Sequence, residues 1–581
     1  MPRLALDAFE QPRERAFLER LSGTDFTVLS TSEMRERIAA IACALHDRGI
    51  APGDRVALIS NNRLDWIAAD IGIVAAGGVC VPIFVTSAAD QLAYILRDSE
   101  PKLIFVETPE EEVRVGALAP PGTPIVRFEG GGSGGLQALE AHGAALHAAD
   151  PALFTRLHEA VKPDDLAVLI YTSGTTGEPK GVMLTHDNIA SNAIDGWTYG
   201  LLGIPAGGVG LSALPYAHIM EHMNVFGFIF SGLTYYVTVP DRLLADLKDA
   251  RPHVMCVVPR ILERVLAGIV GRAREAGGLR AKLVPWALEV GRRYAKAKAE
   301  GSGASVALRL EYALARTLVL RKIRPALGLD RLCYFMSGSA ALHKDIAFTF
   351  AGAGITICEG YGLTEASPVV SVNRIVDNRY GTVGKTIPRV EVRIADDGEI
   401  LVRGPNVMKG YYKREDSPFT PDGWLETGDI GVLDADGYLS VTDRKKELFK
   451  LSAGKFIAPS RLETAIKRSV YVNQVMVVGE SRPHPAALTA PNWPLVRKEL
   501  GIAEDVSGEV LAVRPDVRAF MRREVSAQTK DLARFEQVRV VALLPRELTM
   551  EDGEISPTMK VRRRVVERKY GELIDAAYAE G

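Results

Sequence analysis

The chain has 581 residues, a formal net charge of −2, 47% hydrophobic residues and 24% charged residues. This length predicts two to four domains, and the composition is that of an ordinary globular protein. The near-neutral charge argues against a protein built mainly to hold nucleic acid. The five cysteines lie far apart and form no C-x-x-C pair. Neither a disulfide framework nor a zinc site is therefore expected, and the pattern fits a reducing cytoplasm.

The first part of the chain alternates helical and strand patterns. Apolar spacing predicts helices over 31–50 and 64–76, and strands over 56–60, 79–85 and 103–107. This alternation indicates a parallel sheet covered by helices on both faces. The N-terminus has no apolar segment of signal length, which favours a cytoplasmic protein.

The middle of the chain holds a loop, further helices and a long uncharged run. Residues 129–135 (EGGGSGG) predict a loop, and the Ala- and His-rich stretch 136–160 predicts a surface helix. Residues 223–240 carry no charge, but Asn224 and several Gly, Ser and Thr residues favour a buried helix followed by a buried strand over a membrane span. Residues 260–324 are helical in pattern and rich in Arg and Lys.

The pattern changes again towards the C-terminus. Strands are predicted over 331–336 and 354–358, and the second is followed by a Gly/Thr turn. From about residue 380, short strands alternate with Asp-Gly turns, which is typical of antiparallel sheet. About the last 135 residues mix strands and helices and predict a separate small α+β unit.

The strongest local motif is a loop after the strand predicted over 166–171. Its sequence is YTSGTTGEPKGV, and the glycines and hydroxyls provide donors that suit a phosphate group. The spacing is not that of a Walker A loop. The predicted phosphate contacts are Thr172, Ser173, Gly174, Thr175, Thr176, Gly177 and Lys180.

Four further motifs follow in chain order: GYGLTE over 360–365, GWLETGD over 423–429, DRKKEL over 443–448 and PTMK over 557–560. With the first loop, they resemble the motifs of the adenylate-forming superfamily, which includes acyl-CoA synthetases, luciferases and peptide-synthetase adenylation domains. The resemblance spans roughly residues 28 to 570. It implies ATP as co-substrate and Mg²⁺ as cofactor. One departure is Asp443, which stands where glycine is more common.

The resemblance implies roles for individual residues. Glu365 would bind Mg²⁺ together with Thr172, since Mg²⁺ prefers oxygen ligands. Tyr361 would stack on adenine, while Asp429 and Arg444 would bind the ribose hydroxyls. The remaining nucleotide contacts are Glu359, Gly360, Gly362 and Thr364.

The C-terminal motifs imply catalysis and a change of domain position. Lys560 would meet the carboxylate and the α-phosphate in the first transition state. Without the resemblance, the basic run that begins at Lys560 would be interpreted as a solvated face. Lys446 lies at the hinge position, and the face used second would bring Gly454 and Lys455 toward the pantetheine thiol.

Two features favour a long acyl chain. The segment LPYAHIME over 214–221 resembles the long-chain synthetase form of the motif near the acyl carboxylate, where His218 would face the substrate. The basic helical stretch over about 260–324 resembles the insertion of long-chain acyl-CoA synthetases. Residues 337–341 (SGSAA) are expected near the adenylate, with Ser339 and Ala340 as contacts.

These features predict a fatty-acid–CoA ligase that consumes a fatty acid, ATP and coenzyme A. An acyl-AMP ligase that loads a carrier protein, a ligase for a medium-chain or aryl acid, and a silent nucleotide-binding protein remain alternatives. The expected fold is α/β. It has a large domain over 1–445, made of stacked, mainly parallel sheets with an antiparallel subdomain, and a small mobile α+β domain over 446–581. Peripheral membrane contact and a homodimer stay open.

Overall fold

The computed structural model describes residues 1–22, 25–172, 178–200, 203–301, 303–556 and 560–580. Its helices are α1 (Pro2–Phe9), α2 (Thr31–Asp47), α3 (Leu64–Ala75), α4 (Ala89–Ser99), α5 (Pro109–Gly116), α6 (Leu136–Ala149), α7 (Ala152–Ala160), α8 (His186–Gly200), α9 (Ile219–Phe230), α10 (Leu243–Ala250), α11 (Pro259–Glu275), α12 (Gly278–Ala299), α13 (Val306–Ala315), α14 (Arg321–Ala326), α15 (Lys344–Gly352), α16 (Pro459–Ile466), α17 (Trp493–Leu500), α18 (Gly508–Val513), α19 (Pro515–Thr529), α20 (Arg563–Lys569) and α21 (Gly571–Glu580).

The strands are β1 (Phe17–Ser22), β2 (Asp25–Leu29), β3 (Arg55–Ile59), β4 (Val79–Ile83), β5 (Leu103–Val106), β6 (Ile125–Arg127), β7 (Leu166–Thr172), β8 (Lys180–Thr185), β9 (Val209–Ser212), β10 (Thr234–Val237), β11 (Val254–Val257), β12 (Tyr334–Ser337), β13 (Ile357–Gly362), β14 (Val369–Val372), β15 (Lys385–Thr386), β16 (Glu391–Ile394), β17 (Glu399–Arg403), β18 (Gly410–Tyr411), β19 (Leu425–Leu433), β20 (Leu439–Arg444), β21 (Phe449–Lys450), β22 (Phe456–Ile457), β23 (Val472–Val478), β24 (Ala486–Pro491) and β25 (Val540–Leu543).

Two mainly parallel sheets form the large N-terminal part of the molecule. One has the order β15-β14-β13-β12-β11-β9-β10-β1-β2, and the other has the order β18-β8-β7-β4-β3-β5-β6. One hydrophobic cluster contains residues of both sheets, such as Leu58 and Tyr235, together with the apolar helices α3 and α9. Apart from Asp65, every residue of α3 is buried. These helices carry apolar residues on all faces, as buried helices do.

A four-stranded antiparallel sheet, β16-β17-β19-β20, follows the large sheets. The C-terminal part adds the β21–β22 hairpin and the three-stranded sheet β23-β24-β25, packed with helices α16 to α21. The α/β fold, with a large N-terminal domain of several sheets and a smaller C-terminal domain, is therefore confirmed. The mobility of the small domain and its start at residue 446 stay predictions.

The run 223–240 and the basic stretch match their predicted secondary structure. The first forms part of the buried helix α9 and the strand β10. The second forms α11 to α14, with a π-helical segment (Arg316–Leu320) between α13 and α14. Within the described ranges, no helix is long and apolar enough to cross a membrane.

Two local predictions need correction. The stretch 136–160 forms two helices rather than one, because Pro151 starts α7 and separates it from α6. The glycines at 360 and 362 lie in β13 rather than in a turn after it. The end of β13 bends into antiparallel pairing with β14, with Gly360 opposite Val372. Glycine permits this approach, because a Cβ atom at Gly362 would lie 1.9 Å from the carbonyl oxygen of Pro368.

The packing of α6 on α2 gives the first testable prediction. A Cβ atom at Gly143 would lie 1.8 Å from the carbonyl oxygen of Ala40, so Gly143→Ala forces the two helices apart. We expect a destabilisation of about 2 kcal/mol or more, measured as a lower melting temperature. Gly268→Ala is the matched control, since nothing lies within 4 Å of its Cβ position in α11. It should raise stability by up to about 1 kcal/mol. Equal melting temperatures for both variants would contradict this close packing.

Candidate active site

A cavity of about 1660 Å³ lies where the carboxyl ends of β7, β12 and β13 meet. In open α/β sheets, ligands bind at this edge. The C-terminal part of the chain closes the cavity with Lys560 and Arg563. Candidates from every motif line it: Thr172, Lys180, His218, Ser339, Ala340, Glu359, Gly360, Tyr361, Gly362, Thr364, Glu365, Asp429, Arg444, Lys446 and Lys560.

The remaining candidates fall into two groups. Ser173, Gly174, Thr175, Thr176 and Gly177 lie outside the described residues. Gly454 and Lys455 lie between β21 and β22 and do not line the cavity. The structure therefore does not bring the two predicted thiol-side residues to the other candidates.

Tyr361, Asp429 and Arg444 form a polar group on one wall of the cavity. The Tyr361 hydroxyl donates to Oδ2 of Asp429 at 2.8 Å, and Nε of Arg444 lies 3.2 Å from Oδ1. Asp429 in β19 is the direct cross-strand partner of Arg444 in β20. The arginine supplies a counter-charge to the buried Asp429 side chain, and this contact fixes the orientation of the guanidinium.

Glu365 lies at the start of a second polar group. Its carboxylate accepts from the Tyr411 hydroxyl at 2.9 Å. The Lys180 ammonium lies 4.5 Å from the centre of the Tyr411 ring and pairs with Asp416. One oxygen of Glu365 thus has a fixed partner, and the residue still lines the cavity. A carboxylate that lines the cavity suits Mg²⁺, which binds proteins through one or two carboxylates and takes other ligands from substrate phosphates.

His218 caps the N-terminus of α9. Its Nδ1 accepts from the backbone N–H of Met220 at 3.2 Å. Burial lowers the pKa of His218 to about 4, and the charge of Lys560 adds to this effect. The ring is therefore neutral near pH 7, and the Nδ1 acceptor leaves the proton on Nε2. His218 can thus donate a hydrogen bond to an anionic oxygen without carrying a charge.

Lys560 faces the same space from the C-terminal part of the chain. Desolvation by the surrounding protein and the positive Arg444 lower the pKa of Lys560 to about 8, against the opposing effect of Asp429, Glu447 and Glu365. Its backbone is held by Ser556, whose hydroxyl accepts from the Lys560 N–H at 3.1 Å. The Lys560 side chain is solvent-exposed, and it lines the cavity together with the other candidate residues.

Ion pairs hold the C-terminal part against the predicted hinge. Arg563 pairs with Glu463 and lies 3.4 Å from Glu447. Ser460 donates to Asp443 at 3.3 Å. Burial and the nearby Glu447 and Glu463 raise the pKa of Asp443 to about 6.

An apolar region of the cavity lies beside this polar centre. Residues of α9 line it over five residues of the helix, which corresponds to about 7 Å. Its lining residues include Ile219, Met220, Met223, Met336 and Val372. Methionine side chains adapt their shape easily, so they suit contact with a flexible hydrocarbon chain.

Sequence reasoning missed Tyr411, Asp416, Glu447 and Arg563. Tyr411 contacts the site because β18 pairs with β8, where Tyr411 lies opposite Val182. Pairing between strands this far apart in sequence leaves no local signal. Glu447 lies inside the hinge motif DRKKEL, three residues after Arg444. Its negative charge close to Arg444 could have identified it as a site residue from the sequence.

Comparisons with known proteins agree with this geometry. The family model for the AMP-binding enzyme matches residues 5–412, and that for the AMP-binding enzyme C-terminal domain matches residues 446–581. A long-chain-fatty-acid–CoA ligase, FadD15 of Mycobacterium bovis, is 35% identical over 99% of this chain and 97% of its own length. The peroxisomal long chain acyl-CoA synthetase 7 of Arabidopsis thaliana is 31% identical over 99% of this chain and 85% of its own length.

Solved structures share the fold at lower identity. The adenylation domain of a carboxylate reductase from Mycobacterium chelonae has a TM-score of 0.75 at 24% identity, covering all of this chain and 90% of its own. ATP-bound MatB from Rhodopseudomonas palustris has a TM-score of 0.69 at 23% identity, covering 99% of each chain. On the two family matches and the full-length relatives, this chain belongs to the AMP-binding enzyme family.

Proposed function

We propose that this chain is a long-chain-fatty-acid–CoA ligase, which converts a fatty acid, ATP and coenzyme A into acyl-CoA, AMP and pyrophosphate. The observation that carries the proposal is one cavity that joins a cationic, hydrogen-bonding centre to an apolar region. The relatives named as long-chain ligases match nearly the whole chain, which supports the same substrate class.

In the first step, a carboxylate oxygen of the fatty acid attacks the α-phosphorus of ATP. An acyl–phosphate bond forms, the bond to the β-phosphate oxygen breaks, and pyrophosphate leaves. Negative charge gathers on the α-phosphoryl oxygens, where the Lys560 ammonium and the Nε2–H of neutral His218 are available. Since His218 carries no charge, the carboxylate is oriented without the loss of nucleophilicity that a cation would cause.

The nucleotide contacts follow from the two polar groups. Asp429 and Arg444 would bind the ribose, and the Tyr361 ring would lie against the base. Glu365 and the Thr172 hydroxyl would hold Mg²⁺, which would neutralise charge on the phosphates. The loop over 173–177 and Lys180 would bind the phosphates, and Lys180 must first leave Asp416.

In the second step, the coenzyme A thiol attacks the acyl carbonyl, a thioester forms and AMP leaves. We divide the chain into domains over 1–445, with helices about 260–324 as an insertion, and 446–581. Rotation at Lys446 would withdraw Lys560 and bring Gly454 and Lys455 to the adenylate. The position of these two residues outside the cavity supports such an exchange. The proposal includes a cytoplasmic location.

The function is tested by a substrate panel. Purified chain receives ATP, Mg²⁺ and acids from acetate to stearate together with aryl acids, and AMP release is measured with and without coenzyme A. We expect AMP release that depends on coenzyme A and is largest with long chains, because the apolar region gains binding energy with each buried methylene, about 0.8 kcal/mol. Pyrophosphate exchange without use of coenzyme A would instead indicate a carrier protein as acceptor. A preference for aryl acids would contradict the substrate class.

The charge of Lys560 predicts a pH dependence. Its pKa is lowered to about 8, so the catalytic ammonium is lost as the pH rises through that value. The kcat/KM of pyrophosphate exchange should therefore fall above about pH 8. In Lys560→Arg, the remaining activity should keep its level to higher pH, because a guanidinium stays charged.

Removal of the cation tests the same role. Lys560→Ala should lower adenylation roughly 100-fold or more while ATP binding persists. Lys498→Ala is the matched control, since this exposed lysine of α17 lies outside the cavity. Near-normal exchange by Lys560→Ala would refute the catalytic assignment.

The hinge at Lys446 predicts unequal damage to the two steps. Proline at this position fixes φ near −65° and restricts the preceding residue, so Lys446→Pro should slow thioester formation more than adenylation. Lys446→Ala removes the side chain but leaves the backbone free to rotate. This variant therefore separates the loss of the lysine side chain from the restriction of the backbone. Single-turnover assays of each step provide the measurement. Equal losses in both steps for the proline variant would count against the exchange of domain positions.

A further inference from the structure

The start of helix α11 meets the C-terminal part of the chain through an ion pair. Nη2 of Arg260, the second residue of this helix, lies 3.4 Å from Oε2 of Glu547. The other oxygen of Glu547 accepts from the side-chain amide of Asn473, in β23, at 2.9 Å. One carboxylate is therefore shared between the large N-terminal domain and a strand of the small C-terminal sheet.

The segment that carries Glu547 is held firmly on the small sheet. The Gln474 side chain accepts from the Leu548 N–H at 2.6 Å and donates to the Leu548 carbonyl at 3.2 Å. The Trp493 indole donates to the Pro545 carbonyl at 2.8 Å. Exposed ion pairs usually contribute little, partly because two long side chains lose conformational freedom. The backbone next to Glu547 is already ordered, so less entropy is lost when this pair forms.

Arg260 belongs to an element that forms part of the cavity wall. Cys256, four residues before it in β11, lines the cavity. Burial and the positive charge of Arg264 lower the pKa of Arg260, and the charge of Glu547 opposes this effect. A carboxylate at this place therefore stabilises the guanidinium. The pair fixes the C-terminal part of the chain relative to the wall of the cavity.

A buried carboxylate connects the Glu547 segment to the hairpin that carries Lys560. Glu554, whose side chain is fully buried, pairs with Arg546, the residue before Glu547. The backbone carbonyl of Glu554 accepts from the Arg562 N–H at 2.8 Å, which closes the hairpin two residues after Lys560. Buried ion pairs with several hydrogen bonds are rigid connections. A displacement of Glu547 would therefore be transmitted to Lys560.

We propose that Arg260 is a positioning residue for adenylation, because through Glu547 it fixes the hairpin that carries Lys560 against the cavity. This inference rests on the proposed function, in which Lys560 acts in the first step and is withdrawn for the second. Arg260 precedes the hinge at Lys446 and Glu547 follows it, so rotation at the hinge breaks the pair. Loss of the pair should therefore slow adenylation but not thioester formation.

The test compares the two half-reactions in variants of the full-length chain. Arg260→Gln removes the charge and should slow acid-dependent pyrophosphate exchange about two- to fivefold, the range expected for one partly exposed ion pair. Thioester formation from the acyl adenylate, measured in a single turnover with coenzyme A, should keep its rate or become faster. Arg264→Gln is the matched control, since this exposed arginine lies one turn further along α11 and outside the cavity. It should leave both rates unchanged.

Exchange of the two charges separates the ion pair from other effects of Arg260. Glu547→Arg alone should slow pyrophosphate exchange more than Arg260→Gln does, because it places two cations opposite each other. Arg260→Glu combined with Glu547→Arg should restore most of the rate, since the attraction returns with reversed sign. Melting temperatures establish that each variant is folded. Equal slowing of both steps by Arg260→Gln, or a double variant as slow as Glu547→Arg alone, would overturn the inference.

Amide hydrogen exchange measures the contact without reference to activity. Residues 545–556 should exchange faster in Arg260→Gln than in Arg264→Gln, because the segment is released from the cavity wall. If the unchanged chain forms no adenylate with any acid, the proposed function is refuted, and hydrogen exchange then decides whether Arg260 positions the hairpin. If the unchanged chain performs both steps and the two glutamine variants have equal rates, the role of Arg260 is refuted and the function stands.

Discussion

The arrangement of the site depends on two cations that line the same cavity, the Arg444 guanidinium and the Lys560 ammonium. Desolvation by the surrounding protein and the positive charge of Arg444 both disfavour the charge of Lys560, and its pKa, lowered to about 8, expresses that cost. Asp429, Glu365 and Glu447 offset part of it. An anion placed between the cations relieves the rest. The protein thus holds positive charge ready for a polyphosphate before the substrate arrives.

The two cations are brought together by the contact between the end of β20 and the C-terminal part of the chain. Arg444 lies on β20, whereas Lys560 is held near it by Arg563 with Glu463 and Glu447. Asp443 lies in the same contact, with one carboxylate oxygen that has no hydrogen-bond partner and a pKa raised to about 6. The contact therefore combines favourable ion pairs of Arg563 with a buried Asp443 oxygen that lacks a hydrogen-bond partner. In the proposed exchange of domain positions, such a balance would let a bound nucleotide shift the equilibrium between the positions of the small domain.

The sequence allowed the fold class, the buried helix–strand pair at 223–240 and fifteen of the residues that line the cavity to be predicted. These rest on apolar spacing and on short motifs, both of which are local. Tyr411 and Arg563 were missed because each reaches the site through pairing across more than 100 residues, with β8 and with Glu447. The bend of β13 was missed for a similar reason. The sequence GYG alone is typical of a turn, and only its pairing with β14 makes it part of a strand.

Helix α9 connects the two halves of the proposed chemistry. His218, the residue that caps its N-terminus, would face the reacting carboxylate in the proposed mechanism, and Ile219, Met220 and Met223 of the helix line the cavity. Glu221 anchors the helix to β9 by accepting from Ser212, and it accepts from Asn224 at 3.1 Å. Burial raises the pKa of Glu221 to about 7, despite those bonds. The head and tail of a bound acid are thus positioned by one rigid, buried element. A shift of α9 along its axis would therefore change acyl-chain fit and carboxylate orientation together, so selection by chain length and rate of activation are coupled in this fold.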